Sequence, residues 1–462
     1  MQTSSLSMAT IRLAALLAFA GPPAAEAAPA APAPDPFVAC LKSLRASATA
    51  AGIAGTVFDT AMAGAKADPS VLRSAETQPE FKTAIWDYMA LIVNDDRVAE
   101  GRARLKAMAA ELDAAERRFG VEPAVVVAIW GAESNFGKAM GNRPLLQSLA
   151  TLSCEGRRQS YFRSEFVKAL KIVARGDIKA TDLVGSWAGA FGQTQFMPSN
   201  YWEDAVDHDG DGKVDLIGSA ADALGSAANE LKHSGWVAGL PWGFEVKLPP
   251  RFDASYAGRR AKRPYEEWTG LGVRLANGGA LPASGSAGLL IPAGVNGPAF
   301  LVTRNFDAIF AYNPAEAYAL AIAHLADRVK GGGPLVTRWP IADRALSPKE
   351  IMELQTLLIG LGYDIGNADG VPGDKTRKAV QDFQQKRGLE PDGRPSESIL
   401  LALRSPGAAT PARPATPPRA TPAPKPAAAA VPAPTSTAAQ PGGQTIDDII
   451  RRSLAPRADG DG

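Results

Sequence analysis

The chain of 462 residues is poor in side chains that hold soft metals or cycle electrons, with two cysteines and three histidines. With so few, neither a zinc site of the Cys/His kind nor a redox Cys-x-x-C pair is expected. Charge of one sign is also missing. Lysine and arginine number 49 against 48 aspartates and glutamates, a net charge of +1. No basic excess is available to capture nucleic acid, and no block of like charge forms an arm. Long apolar runs are absent too. The longest, near the start, is too short to span a bilayer, and none follows. What is present suits a soluble globular chain: 46% hydrophobic and 21% charged residues, ample for a buried core. The length suits two or three domains.

Residues 1–27 read as an export signal. Arg12 supplies positive charge, 13–20 form an apolar stretch, and Ala25-Glu26-Ala27 is a small-x-small cleavage site. An Ala/Pro linker, 28–36, follows. Export would place Cys40 and Cys154 in an oxidising compartment. A disulfide and two separate buried thiols both stand open, because sequence gives no distance between them.

Residues 37–176 carry helical periodicity, with helices expected over 84–93 and, as one long element, 103–119. Pro123 suits the first turn of a further helix. From 242 to 312 the pattern turns strand-like at 244–248, 289–291 and 300–302, separated by glycine, proline and Asn-Gly turns. Residues 318–329 are helical again. A second unit, 345–404, has three short helices, at 351–361, 376–385 and 396–403. The tail, 405–462, is rich in proline and alanine and cannot bury enough apolar area to order itself. Ile446, Ile449, Ile450 and Leu454 near its end could dock on a cell-wall protein, although such a tail is more often solvated.

One carboxylate stands out. In 125–137, Val126, Ile129, Trp130 and Glu133 share one helical face. A lone acid on an apolar face loses hydration, which raises its pKa toward that of a general acid. Gly131 and Gly137 would leave room there for a bulky ligand. The segment 185–198 alternates small residues with Ser186, Gln193, Thr194 and Gln195, and can approach a sugar closely. Tyr312, Asn313 and Tyr318 could add stacking rings and an amide.

These segments together, A-I-W-G-A-E-S-N-F-G at 128–137, G-S-W-A-G-A-F-G-Q-T-Q-F-M-P-S at 185–199 and A-Y-N-P-A-E-A-Y-A-L-A at 311–321, resemble the lytic murein transglycosylase B family. The resemblance covers 37–331, within a catalytic domain drawn at 37–335. It implies a mainly α, α+β fold: a lysozyme-like catalytic domain with a small β portion. It also implies non-hydrolytic cleavage of the β-1,4 bond between N-acetylmuramic acid and N-acetylglucosamine, leaving 1,6-anhydro ends. Glu133 would be the single acid/base. Ser186 and Gln195 would line the cleft, and Tyr312, Asn313 and Tyr318 would contact sugar, with Tyr88 a further subsite candidate. One position departs from the pattern, Glu230, where the family can carry tyrosine.

The run Asp207-His208-Asp209-Gly210-Asp211-Gly212-Lys213-Val214-Asp215 reads as an EF-hand-like calcium loop. Asp207, Asp209 and Asp211 supply side-chain oxygens, Lys213 a backbone carbonyl, and Asp215 a water-bridged contact. Position twelve is Gly218, so Asp222 would close the site. Such calcium (Ca2+) would be structural, with no cofactor needed for chemistry. In the second unit, Leu354-Gln355, Leu361-Gly362-Tyr363, Asp369-Gly370, Gly373, Thr376, Ala379-Val380, Phe383-Gln384 and Gly388-Leu389 resemble a three-helix peptidoglycan-binding domain. The expected protein is exported, periplasmic and wall-associated, with peptidoglycan glycan strands as its partner. A hydrolytic muramidase on the same fold and a non-catalytic wall-binding scaffold are the alternatives.

Overall fold

In the computed structural model the residues described are 35–75, 84–341, 343, 346, 348–370 and 372–404. The expected export signal, all but the end of the Ala/Pro linker, and the tail lie outside them. The fold is mainly helical, built around Pro123–Ser134. Every residue from Ala124 to Ala132, and Ser134, is buried. A helix apolar on all sides belongs at the centre of a bundle, and here Glu316–Val329, Asp95–Ala107, Ala220–His233 and Ala109–Phe119 surround it. Pro123 opens it, where its missing N–H costs nothing. Asn135 ends it in a left-handed conformation, φ 50°, which asparagine tolerates better than most residues.

The single helix expected over 103–119 is two. Asp95–Ala107 ends at Met108, and Ala109–Phe119 starts after it. The break serves two packing surfaces. Val98 and Gly101 are buried in the first helix, whereas Leu112, Ala115 and Phe119 are buried in the second, which lies against Ala220–His233. Local propensity favoured continuity, and tertiary burial overrode it. The helices expected near 84–93 and 318–329 are found at Ile85–Ile92 and Glu316–Val329.

The β portion has two parts. A two-residue ladder pairs β1 (Arg143–Pro144) with β2 (Val184–Gly185). A five-stranded antiparallel sheet runs in the order β4-β6-β7-β3-β5, with β3 at Gly243–Lys247, β4 at Arg263–Pro264, β5 at Arg274–Leu275, β6 at Ser286–Leu290 and β7 at Ala299–Val302. Phe244 pairs with Leu301, and Leu289 with Leu301 from the other side. The sheet carries a core of its own around Trp268, Leu289 and Leu301. The three longer strands match the expected positions. The two-residue strands β1, β2, β4 and β5 are too short to show periodicity.

Cys40 and Cys154 form a disulfide, with Cα atoms 5.8 Å apart. It joins the N-terminal helix Pro36–Ala50 to Leu145–Glu155. The second unit has the three expected helices, Pro348–Gly360, Asp374–Lys386 and Glu397–Arg404. They enclose Leu354, Leu358, Val380, Phe383 and Leu400. Two glutamines bracket its turns in the same way. Gln355 Oε1 accepts from Gly370 N, and Gln384 Oε1 from Gly393 N. This unit rests on the first. Arg377 pairs with Glu316 at 3.1 Å, and the Arg394 guanidinium lies 5.4 Å from the Trp86 ring centroid. Trp86 in turn meets Trp339 of the connecting segment. No helix of the described residues is long and apolar enough to cross a membrane.

Candidate active site

Glu133 is the penultimate residue of the central helix and is half-buried, although its neighbours on either side are buried. Tyr318 Oη donates to Glu133 Oε1 at 2.5 Å. Tyr318 is buried in the first turns of Glu316–Val329. Burial, then the Glu133 charge, hold its phenol well above the ordinary tyrosine range, so it is an unfailing donor. Tyr312 Oη donates to the Thr194 carbonyl oxygen at 2.7 Å. Its hydroxyl is likewise pushed up, by burial and then by the charge of Glu230. Asn313 follows directly, in extended backbone at the end of Arg304–Tyr312.

The segment 185–199 folds as a tight loop against the helix end. The Ser186 hydroxyl is buried and accepts from Ala190 N. Gln195 takes a left-handed conformation, φ 52°. Its amide donates to the Met140 and Gly192 carbonyl oxygens, both at 3.0 Å. Gln195 therefore spends its N–H groups inside the loop. Tyr88 is 1% exposed and lies within electrostatic reach of the Tyr318 hydroxyl.

The room expected beside Gly131 and Gly137 is taken by protein. A Cβ on Gly131 would lie 2.6 Å from the Phe136 ring, and one on Gly137 2.8 Å from Gln193 Oε1. These glycines admit side chains of their own fold, not a ligand. Gln193 is the residue that sequence reasoning passed over. Trp130 Nε1 donates to its side-chain oxygen at 3.0 Å, and Ser134 Oγ donates to its carbonyl oxygen at 2.5 Å. Its own N–H and Nε2 donate to the Leu216 and Ile217 carbonyl oxygens. One glutamine thus fixes the helix bearing Glu133 to the aspartate-rich loop. The signal was an amide flanked by glycine and threonine, which composition alone does not separate from its neighbour Gln195.

In that loop, carboxylate oxygens of Asp207, Asp209 and Asp211 lie within 4.8 Å of one another, at the surface. Such a trio of hard oxygens suits a divalent cation of calcium type. Lys213 N is tied to Asp211 Oδ1 at 2.8 Å, the turn that brings the seventh carbonyl round. Asp215 and Asp222 lie outside the trio. Asp215 Oδ1 accepts from Ile217 N and Gly218 N. The buried Asp222 takes the N–H groups of His208, Asp209 and Asp215. It holds the loop closed from beneath by backbone bonds.

Beyond Asn200 lies a second carboxyl that the family pattern does not foresee. Glu230, on Ala220–His233, accepts a short hydrogen bond from Asn200 Nδ2. Burial, then the Asp204 charge, push it up to about 8.

Known proteins resemble this chain along most of its length. The family described as Transglycosylase SLT domain matches residues 36–327, and a peptidoglycan binding domain matches 347–403. Among solved structures, SltB3 from Pseudomonas aeruginosa in complex with NAG-anhNAM-pentapeptide shares 48% identity, with TM-score 0.77, over 80% of this chain and 99% of that one. The lytic transglycosylase Slt35 of Escherichia coli, in complex with calcium, shares 29% identity with TM-score 0.56, over 63% of this chain and 92% of that one. The membrane-bound lytic murein transglycosylase B of Escherichia coli is 35% identical over 206 residues, which span 40% of this chain and 57% of the relative. With a matching family pattern over more than half its length, this chain belongs to the transglycosylase SLT domain family.

Proposed function

We propose that the protein is an exported peptidoglycan lytic transglycosylase that cleaves between N-acetylmuramic acid and N-acetylglucosamine and leaves 1,6-anhydro ends. The observation that carries this is the Tyr318–Glu133 hydrogen bond. Because Oε1 accepts from a phenol that does not ionise, the proton of the neutral acid sits on Oε2. That oxygen donates to the departing glycosidic oxygen. The substrate's N-acetyl carbonyl stabilises the oxocarbenium-like centre, as in substrate-assisted glycosidases. The resulting carboxylate, steadied by the same phenol, accepts the proton of the muramic acid 6-hydroxyl. That oxygen attacks the anomeric carbon and closes the anhydro ring. The side-chain amide of Asn313 makes no hydrogen bond among the described residues, which suits it to hold the N-acetyl group. Tyr312 and the loop of Ser186 and Gln195 shape the wall beside it.

Hydrolysis needs a second, ionised carboxylate to activate water. A carboxyl that feels the Glu133 charge is Glu230, and burial pushes it up to about 8, which disfavours the charge a base needs. This favours the ring-closing route. Asp207, Asp209, Asp211 and the Lys213 carbonyl would hold calcium, whose part is to order the loop beneath Gln193. The unit at 345–404 would hold the enzyme on the wall and raise its local substrate concentration. Action on the wall places the protein in the periplasm.

Digestion of purified sacculi followed by mass spectrometry tests the reading. Muropeptides one water lighter than the hydrolytic products are expected, and none from Glu133→Gln, which should still bind the wall. Products carrying the added water would establish the muramidase alternative, and unchanged lysis by Glu133→Gln would remove Glu133 from its role.

A further inference from the structure

The second unit carries an apolar face that nothing among the described residues covers. Met352, Ile359, Leu361 and Leu401 are between 42% and 54% exposed, four of the nine exposed large hydrophobic side chains among the described residues. Residues 346–404 thus hold nearly half of these, far above their share of the chain, so the grouping is not the scatter that any surface shows. Along Pro348–Gly360 the exposed positions Met352, Thr356, Ile359 and Gly360 recur at helical spacing as one stripe, while Leu354 and Leu358 turn to the unit's own core. Glu397–Arg404 runs beside the first half of that helix. Ser398 N donates to Asp343 Oδ1 ahead of it at 3.2 Å, and Arg404 pairs with Glu353 inside it at 2.7 Å. Leu401 stands between those ties, one turn before Arg404. The stripe is aliphatic, and its one hydroxyl, on Thr356, donates to the Met352 carbonyl oxygen. It suits an apolar helix better than a glycan.

The sequence beyond Arg404 contains a segment of that kind. Ile446, Ile449, Ile450 and Leu454 fall at i, i+3, i+4 and i+8, one face of a helix. Thr445 and Asp448 make a T-x-x-D capping pattern, Asp447 and Asp448 suit the first turn, Arg451 and Arg452 suit the last, and Pro456 follows. The end signals agree with the apolar phase. At about ten residues such a helix is too short to hold itself in water and needs a partner. From Ile446 to Leu454 it would measure about 12 Å, against about 10.5 Å from Met352 to Ile359. The described residues stop at Arg404, on the edge of the apolar face. Residues 405–444 then supply a tether whose length gives a reach of about 35 Å. That exceeds the breadth of a unit of this size, roughly 27 Å. Tethering keeps the segment at about millimolar effective concentration, so a weak pairwise affinity suffices.

We propose that residues 445–455 fold as a helix onto the face of Met352, Ile359 and Leu401 in the same chain. Hydrogen exchange of the full-length protein, read by mass spectrometry, tests this. In the parent, amides of 446–454 should exchange about tenfold more slowly than an unstructured chain, and equally so at about 1 μM and about 20 μM protein. Ile449→Asp combined with Ile450→Asp should remove that protection and speed exchange across 352–360. Ile359→Asp, at an already exposed site, should release the tail from the other side while exchange in Asp374–Lys386 stays unchanged. Met352→Asp serves in its place should Ile359→Asp disturb that helix.

A tail that exchanges at the unstructured rate in the parent, or that stays protected when the face carries the aspartate, overturns the proposal. Protection that grows with protein concentration would assign the face to a second copy of the chain. Protection that appears only on adding sacculi would assign the tail to the wall. Either result overturns it as well.

Discussion

At the scale of single residues, the site is a matter of which oxygen carries a proton. In the proposed mechanism Tyr318 sets that for Glu133, and its loss is the sharpest test of it. Tyr318→Phe keeps the ring that packs in the core and removes only the hydroxyl. A hydrogen bond to a group that becomes charged is worth about 1.5–3 kcal/mol, so kcat should fall about 10- to 100-fold while KM moves little. The pH–rate profile should move too. Without the phenol the carboxylate loses its donor, so Glu133 holds its proton more tightly and the alkaline limb, where the acid ionises, should shift to higher pH. A kcat within twofold of the parent would show that the hydroxyl is merely structural.

Glu133 was conspicuous in the sequence because an acid in phase with Val126, Ile129 and Trp130 is anomalous on its own helix. Gln193 was not. Its importance comes from partners at positions 130, 134, 216 and 217, and no local pattern reveals contacts made across the fold. The glycines misled for the same reason. A missing side chain at Gly131 signals close approach, but sequence does not say whether Phe136 or a ligand is the visitor.

At the scale of elements, the aspartate loop and the catalytic helix form one mechanical unit through Gln193. The loop hangs from Asp222 by backbone bonds, while the carboxylates of half-buried Asp207 and exposed Asp209 and Asp211 lie close together. Like charges at that spacing repel, and a divalent cation relieves them. Chelation should therefore lower the melting temperature, and added calcium should restore it by mass action. Asp207→Ala should abolish that response and lower kcat more than wall binding, because the loop supports the cleft and not the second unit. A melting curve indifferent to both chelator and calcium would remove the ion from the account. The motif was legible from its spacing alone. The part played by Asp222 was not, since its oxygens turn to amide N–H groups that any sequence possesses.

At the scale of the whole molecule, the longest covalent constraint is Cys40–Cys154, which closes a loop with a sequence separation of 114. Bridges that close long loops restrict the unfolded chain most, and removing a native one costs about 2–5 kcal/mol. The double variant Cys40→Ser, Cys154→Ser should unfold at correspondingly lower denaturant, with the Glu133 chemistry intact at low temperature. An unchanged midpoint would show that the helices need no such tie. Sequence left the pairing open because two helices far apart in the chain approach only once the bundle is formed. The division into a long catalytic unit and a short helical one was plain from composition and motif spacing, whereas the contact between them was not. Arg377, Glu316, Arg394 and Trp86 carry no signature of partnership until the two surfaces meet.

Glu316 opens the very helix whose first turn also presents Tyr318 to Glu133, and Arg377 pairs with it from the second unit. In the proposed mechanism the module that holds the wall is thus tied, through one ion pair, to the helix whose phenol orients the proton.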